Sequence, residues 1–396
     1  MTERLYYHDA GILEFQAVAQ AIEKDDSRYR IRLDRSAFYP TSGGQMHDIG
    51  QLAGQPVIDV IEIDRDVWHI VDEPPAYQVG ETVTGKIDSD RRRDSMQKHT
   101  GQHILSQAFI AVCGAKTVSS RLGEDDCTVD LDVEQVADEE IVRSETLANQ
   151  IIFENRPVSI SFVPYEQLQS LPLRKIPDRQ DGEFRIITIE GYDWSACGGT
   201  HCRATGAVGL IKIMKRERIR GITRLHFLTG LMALADYRWR MDQIEKISGL
   251  LTRHGRESAD AVAQLLDDNA HLRKKIGALK RELLPSQMDK WYNEGRKINK
   301  IRVIALDFSG EATEDAKNAV MGIIKQYPAV ALIGLDDKLI VGVGQNLAFS
   351  AKDILIAAMS RFGGRGGGSL QLAQGGGFRP ADIKVLLADP TLILNI

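Results

Sequence analysis

Two short stretches carry side chains whose types and spacing suit metal chemistry. His99-Thr100-Gly101-Gln102-His103 sets two imidazoles four residues apart. On a helix that spacing puts both rings on one face, about one turn apart. A His pair of this kind is often plain surface decoration. Cys197-Gly198-Gly199-Thr200-His201 changes the reading, because it sets a thiol and a third imidazole at the same spacing. The two glycines between them let the backbone turn tightly. Together the stretches offer a Cys-His₃ donor set, a mixture of soft and borderline ligands that suits one zinc ion per chain. Four protein ligands make a closed, structural site, whereas catalytic zinc keeps a position open. Either His201 or Cys197 yields its place to substrate or water, or the zinc only anchors a substrate amine. The sequence leaves both open.

The elements that must position these side chains follow from periodicity. A helix is expected from about Asp94 to Val112, carrying both His99 and His103. Before it, residues 1–88 are β-rich: Tyr29 to Leu33 alternates with strand period, and so does the run from Val57 to Val71. Between those runs lies a loop, Phe38-Tyr39-Pro40-Thr41-Ser42-Gly43-Gly44-Gln45. After the helix, residues 128–132 and 184–189 read as strands and residues 139–153 as a helix, the second strand running toward the Cys197 turn. From about 235 to 295 the chain is helical and highly charged. Val262, Leu265, Leu272, Ile276, Leu279 and Leu283 recur at heptad spacing, with Asn269 on the same seam. Such a seam serves either a second chain or an intramolecular hairpin. Strands at 301–308, 329–335 and 339–343 around a helix at 313–326 make an α/β unit. It ends in a segment where eight of the fifteen residues from Gly363 to Gly377 are glycine.

The bulk numbers narrow the class. A chain of 396 residues exceeds one ordinary core and implies several domains. Four cysteines are too few for a disulfide framework at this length. No apolar run is long enough to span a bilayer, and the first residues lack a signal-peptide core, so the cytoplasm is the default expectation. A net charge of −5 excludes a protein that is basic throughout, but not one with a local basic patch.

Several motifs, in order, resemble one family. They are the loop from Phe38 to Gln45 with Asp48 and Gly50, the His99/His103 pair, and the segment from Ser120-Arg121-Leu122-Gly123 to Asp130-Leu131-Asp132. Cys197 to His201 follows, and Thr205-Gly206 with Gly209 to Ile213 completes the run. This part of the chain is similar to the editing half of alanyl-tRNA synthetase and to its freestanding relatives, the AlaX proteins. Ser42 departs from the family, which has glycine there. Gly363 to Gly368 and Ala373 to Gly377 resemble the synthetase's C-terminal domain, so the likeness points to the long form of AlaX. With no room for an aminoacylation domain before residue 5, the chain is not expected to charge tRNA.

The resemblance implies hydrolysis, in trans, of tRNA(Ala) mischarged with serine, and secondarily with glycine. On that reading Gln45 orients water or the ester, Thr41 bonds the serine hydroxyl, and Cys197 belongs to the catalytic group as well as to the metal. Lys212, Lys215, Arg216, Arg218, Arg220 and Arg224 form a basic cluster for phosphates near the acceptor end, and Arg365 a second contact from the glycine-rich tail. A homodimer would use the helical segment or the C-terminal domain. The expected class is α+β. It comprises a β-barrel-like domain (1–88), a zinc-containing α/β editing domain (89–234), a coiled-coil-like segment (235–298) and a glycine-rich α/β domain (299–396). The rival reading is a zinc-stabilised tRNA-binding protein without hydrolytic activity. A phosphoesterase, suggested by the tail alone, lacks an Asp-His-His motif.

Overall fold

Strands dominate the first eighty-odd residues because β-branched and aromatic residues alternate there with polar ones. In a computed structural model that describes residues 1–394, seven antiparallel strands form one sheet. Its order is Gln55–Val57, Gly50–Leu52, Thr82–Ile87, Glu14–Asp25, Arg28–Leu33, Asp66–Val71 and Asp59–Ile63. The two outermost strands are consecutive in sequence, with only Ile58 between them, and the Ile58 N–H donates to the Ile70 carbonyl at 3.0 Å. The sheet therefore curls into a nearly closed barrel around Ile31, Leu33, Phe38, Leu52 and Val67. The run from Val57 to Val71 is not one strand. Asp64 and Arg65 both have positive φ and turn it into a hairpin.

A 25-residue helix, α1 (Ser89–Cys113), leaves the barrel. Asp88 caps it, its Oδ1 accepting from the N–H groups of Asp90 and Arg91, and Gly114 ends it in the left-handed region. Arg92, fully buried, ties the helix back to the barrel. Its guanidinium pairs with Asp48 and donates to the carbonyls of Ala10 and Ala37. Helices α1 and α2 (Asp138–Phe153) pack together beside a four-stranded antiparallel sheet ordered Thr117–Leu122, Cys127–Leu131, Ile222–Thr229, Ile211–Ile219. A three-stranded antiparallel sheet (Val158–Pro164, Glu183–Ile189, Asp193–Ala196) delivers the chain to Cys197.

The chain divides into two compact units, residues 1–247 and 248–396. The helical stretch is two helices, Gly230–Leu251 and Ser258–Glu294, broken where Thr252 takes a positive φ. The heptad residues of the second, Leu265, Leu272, Ile276, Leu279 and Leu283 among them, are exposed. The second unit carries a six-stranded mixed sheet, in which Ile301–Asp307 runs parallel to Ala329–Leu335 through the helix Thr313–Gln326. The glycine-dense segment is ordered as two strands of that sheet, Arg365–Gly368 and Leu372–Gly376. No helix among the described residues is long and apolar enough to cross a membrane.

His69 sits fully buried in the barrel, its Nδ1 donating to the Ile31 carbonyl at 3.0 Å and its Nε2 accepting from Ser36 Oγ at 2.7 Å. Burial pushes its pKa down from 6.5 to about 4, against the opposing pull of the Ile31 carbonyl. The unfolded chain thus binds more protons than the folded one between those values. This contribution is complete above about pH 6.5 and is lost as pH falls through 4, about 3 kcal/mol in all. Urea unfolding of the first unit across that window is expected to show a shallower acid-side decline in His69→Gln than in the unaltered chain. Parallel curves would remove His69 from the account.

Candidate metal centre

The four sequence-predicted donors meet. His99 and His103 project from one face of α1, each 4% exposed, and His201 is 5% exposed. Cys197 Sγ lies 3.3 Å from His99 Nε2 and 3.4 Å from His201 Nε2, and all four ligand atoms fall within 4.8 Å of one another. The edges of a tetrahedron around zinc with Zn–N and Zn–S bonds of ordinary length measure roughly 3.3–3.8 Å. The two Cys197–histidine edges fall in that range, and the set is compact enough to close on a single small cation.

Each imidazole is fixed by a bond to its other nitrogen. His99 Nδ1 donates to Gln45 Oε1 at 2.8 Å, and His103 Nδ1 to Asp193 Oδ2 at 3.2 Å. His201 Nδ1 meets Thr100 Oγ1 at 3.2 Å. With the Nδ1 positions engaged, the Nε2 lone pairs turn toward the thiol, the arrangement that metal-binding histidines need. Electrostatics agree. Burial alone would raise the Cys197 thiol, but the His99 and His201 imidazoles outweigh it and hold Cys197 well below the usual thiol range. Burial, reinforced by His99, pushes His201 down to about 3. A thiolate and a neutral imidazole are the ligand-competent forms. At His103 burial pulls the pKa down, yet the bond to Asp193 and the interactions with Cys197 together outweigh it and the net shift is upward.

The Cys197 turn is held from beneath by Arg185, whose Nη1 donates to the carbonyls of Cys197 and Gly199 at 2.7 and 2.9 Å. Gly199 is required by space. A Cβ there would lie 2.1 Å from His99 Cε1 and 3.0 Å from Gln45 Oε1. Gln45 reaches the site because Gly43 and Gly44 both take positive φ between Ser42 and Gln45, the signature of a type I′ turn. Gly44 also abuts the Ser120 carbonyl, 2.5 Å from where a Cβ would stand.

Other predicted residues are placed differently. Gln45, 1% exposed, does not face the open cavity. Its amide oxygen accepts from His99 and from the Thr200 N–H, and its nitrogen donates to Thr200 Oγ1, so it positions ligands. Thr41 lies outside the cavity lining, bonded through Oγ1 to His47. Most of the basic cluster is ion-paired. Lys212 meets Glu145, Lys215 meets Glu217, Arg216 meets Asp138, Arg218 meets Glu134 and Arg224 meets Asp130. Arg220 is exposed at a turn, and Arg365 lies in the second unit on an exposed strand.

The sequence reading missed Asp193, Arg174 and Arg185. Asp193 is fully buried, takes Arg174 Nε at 2.7 Å on one oxygen and His103 on the other, and accepts from Ser195. A signal was present: Asp193, Ser195 and Cys197 alternate with strand period, which puts three polar side chains on one face. Beside the donors opens a cavity of about 350 Å³ within the first unit.

Residues 184–226, which include the Cys197 turn, match the domain described as "Threonyl and Alanyl tRNA synthetase second additional domain". The chain is 32% identical over 392 residues to the alanine–tRNA ligase of Pyrococcus abyssi, an alignment spanning 94% of this chain and 42% of that protein. With the alanine–tRNA ligase of Haloquadratum walsbyi it is 32% identical over 414 residues, spanning 100% of this chain and 44% of that protein. The chain is related over nearly its whole length to alanine–tRNA ligases. It spans about two fifths of the length of the curated relatives it matches. The solved C-Ala domain of Aquifex aeolicus alanyl-tRNA synthetase aligns with 25% of this chain and 96% of its own, at 21% identity and a TM-score of 0.22.

Replacing Cys197 or His103 by alanine is expected to abolish stoichiometric zinc, measured by elemental mass spectrometry on the purified protein. Asp193→Asn should weaken zinc by about 10- to 100-fold in a chelator competition. Gly199→Ala changes no ligand, yet should also lose the metal because His99 must move. Full zinc occupancy in Gly199→Ala would contradict the packing argument.

Proposed function

We propose that the chain is a zinc-dependent hydrolase that acts in trans on mischarged tRNA(Ala), releasing serine and, secondarily, glycine. The observation that carries this reading is the convergence of His99, His103, Cys197 and His201 beside an open cavity, in a chain related over nearly its whole length to alanine–tRNA ligases. One zinc per chain is proposed. When bound, it supplies charge stabilisation of an ester carbonyl or a water of lowered pKa.

The chain's own residues supply position. An aminoacyl ester is already activated, so its hydrolysis rests on orientation and preorganised dipoles more than on a strong nucleophile. Gln45 and Asp193 fix the His99 and His103 rings, and Arg185 fixes the backbone of the Cys197 turn. Discrimination for serine over alanine is the strong direction when a site bonds the extra hydroxyl, because an unpaired buried partner is costly. Since Thr41 is engaged by His47, and the Thr117 and Ser195 hydroxyls by Ser106, Arg174 and Asp193, that role falls to Ser42 in the cavity lining.

A second reading has an observation of its own. Four protein donors fill a tetrahedron and leave no position open, which favours a zinc-stabilised tRNA-binding protein without hydrolysis. One assay separates the two. Release of labelled serine and alanine from tRNA(Ala) is followed with and without chelator. The hydrolase reading expects serine to leave at least about tenfold faster than alanine, consistent with hydroxyl recognition, and this release to be lost on chelation. Retained tRNA binding with no release of either amino acid would establish the second reading.

A further inference from the structure

Apart from the metal donors themselves, the charged side chains in the wall of the cavity are all basic. Its lining includes Lys116, Arg174 and Lys175 and no aspartate or glutamate, in a chain whose net charge is −5. The three cations come from different parts of the first unit. Lys116 follows α1 in the connection to the strand Thr117–Leu122, whereas Arg174 and Lys175 lie between Leu168 and the strand Glu183–Ile189.

Their bonding separates them. Arg174 is committed to Asp193 and Ser195 and so acts on the metal ligand His103. Lys116 and Lys175 are exposed, and among the described residues neither ammonium group has an ion-pair or hydrogen-bond partner. This is the opposite of the cluster from Lys212 to Arg224, where five of the cations are paired with carboxylates. Charges without partners in a concave wall focus the local field on whatever enters, while paired surface charges largely cancel.

We infer that Lys116 and Lys175 bind the phosphodiesters of the single-stranded 3′ end of tRNA and seat its terminal ester over the metal donors. The inference rests on the tRNA reading above, but not on hydrolysis. Lysine suits the task, since a flexible ammonium neutralises a phosphate without demanding a fixed planar geometry. The segment 212–224 then contributes less to binding than its lysine and arginine content suggests.

Binding of uncharged tRNA, followed by fluorescence anisotropy across a salt series, tests this without requiring turnover. Each phosphate contact on a single strand contributes a slope of about −0.7 in log K against log[salt]. The double variant Lys116→Ala/Lys175→Ala is expected to flatten the slope by about 1.4 and to weaken binding by roughly 10- to 30-fold near 0.1 M salt. Zinc content is expected to stay at one equivalent, which separates lost phosphate contacts from a damaged site. Lys116→Arg/Lys175→Arg should restore the slope, since the charge returns. Where charged tRNA is turned over, KM rises in the double variant more than kcat falls. An unchanged slope and affinity in the alanine variant would overturn the inference while leaving the hydrolase intact. So would a loss confined to Lys212→Ala/Lys215→Ala. A weakened variant of a protein that releases no amino acid would sustain the inference and refute the hydrolase.

Discussion

One carboxamide joins three distant parts of the chain. Gln45 arrives on a tight turn from the barrel, takes His99 of α1 on its oxygen, and clasps Thr200 of the Cys197 turn through both the backbone N–H and the side-chain hydroxyl. The amide is buried, so each of these bonds forms where water does not compete and each would be costly to leave unmade. It fixes the His99 tautomer, the height of α1 against the turn, and the approach of Gly199 to the imidazole. Moving Gln45 displaces two of the four donors, although it is a ligand of neither.

The same economy of buried polar groups runs through the region. Arg92 and Asp48 satisfy one another and two carbonyls between helix and barrel, and Asp193 satisfies His103, Arg174 and Ser195. Charges this deeply buried are weak evidence for net stability, because desolvation offsets much of the attraction. Their role is specificity of position. A polar interior of this type tolerates one arrangement of its donors and acceptors, whereas a purely apolar one repacks with little penalty.

Much of this was legible in the sequence. The His99/His103 and Cys197/His201 pairs announced themselves by spacing, and the strands and helices around them by periodicity. What escaped notice depended on partners remote in sequence. The basic run after the Cys197 turn read as a phosphate patch because local composition does not show that Glu134, Asp130 and Glu145 come to meet it from 67 to 94 residues away. Lys116 and Lys175 are solitary lysines in sequence and become a pair only in the cavity wall. Asp64, Arg65 and Asp66 interrupt the alternation between Ile63 and Val67 but include neither glycine nor asparagine, the usual marks of a tight hairpin, so periodicity passes over the turn, which appears in the positive φ of Asp64 and Arg65.

The separation of the donors along the chain sets an order of events. A ribosome that has released the barrel and α1 has delivered Gln45, His99 and His103, but Cys197 and His201 are about a hundred residues behind. Chains generally fold from the N-terminus as they emerge, and contacts between remote segments form late. The half-built site at that stage is two imidazoles on an exposed helix face, a poor trap for any ion. The four-donor cluster therefore comes together only when the last strand before the Cys197 turn docks, by which time the walls around it already stand.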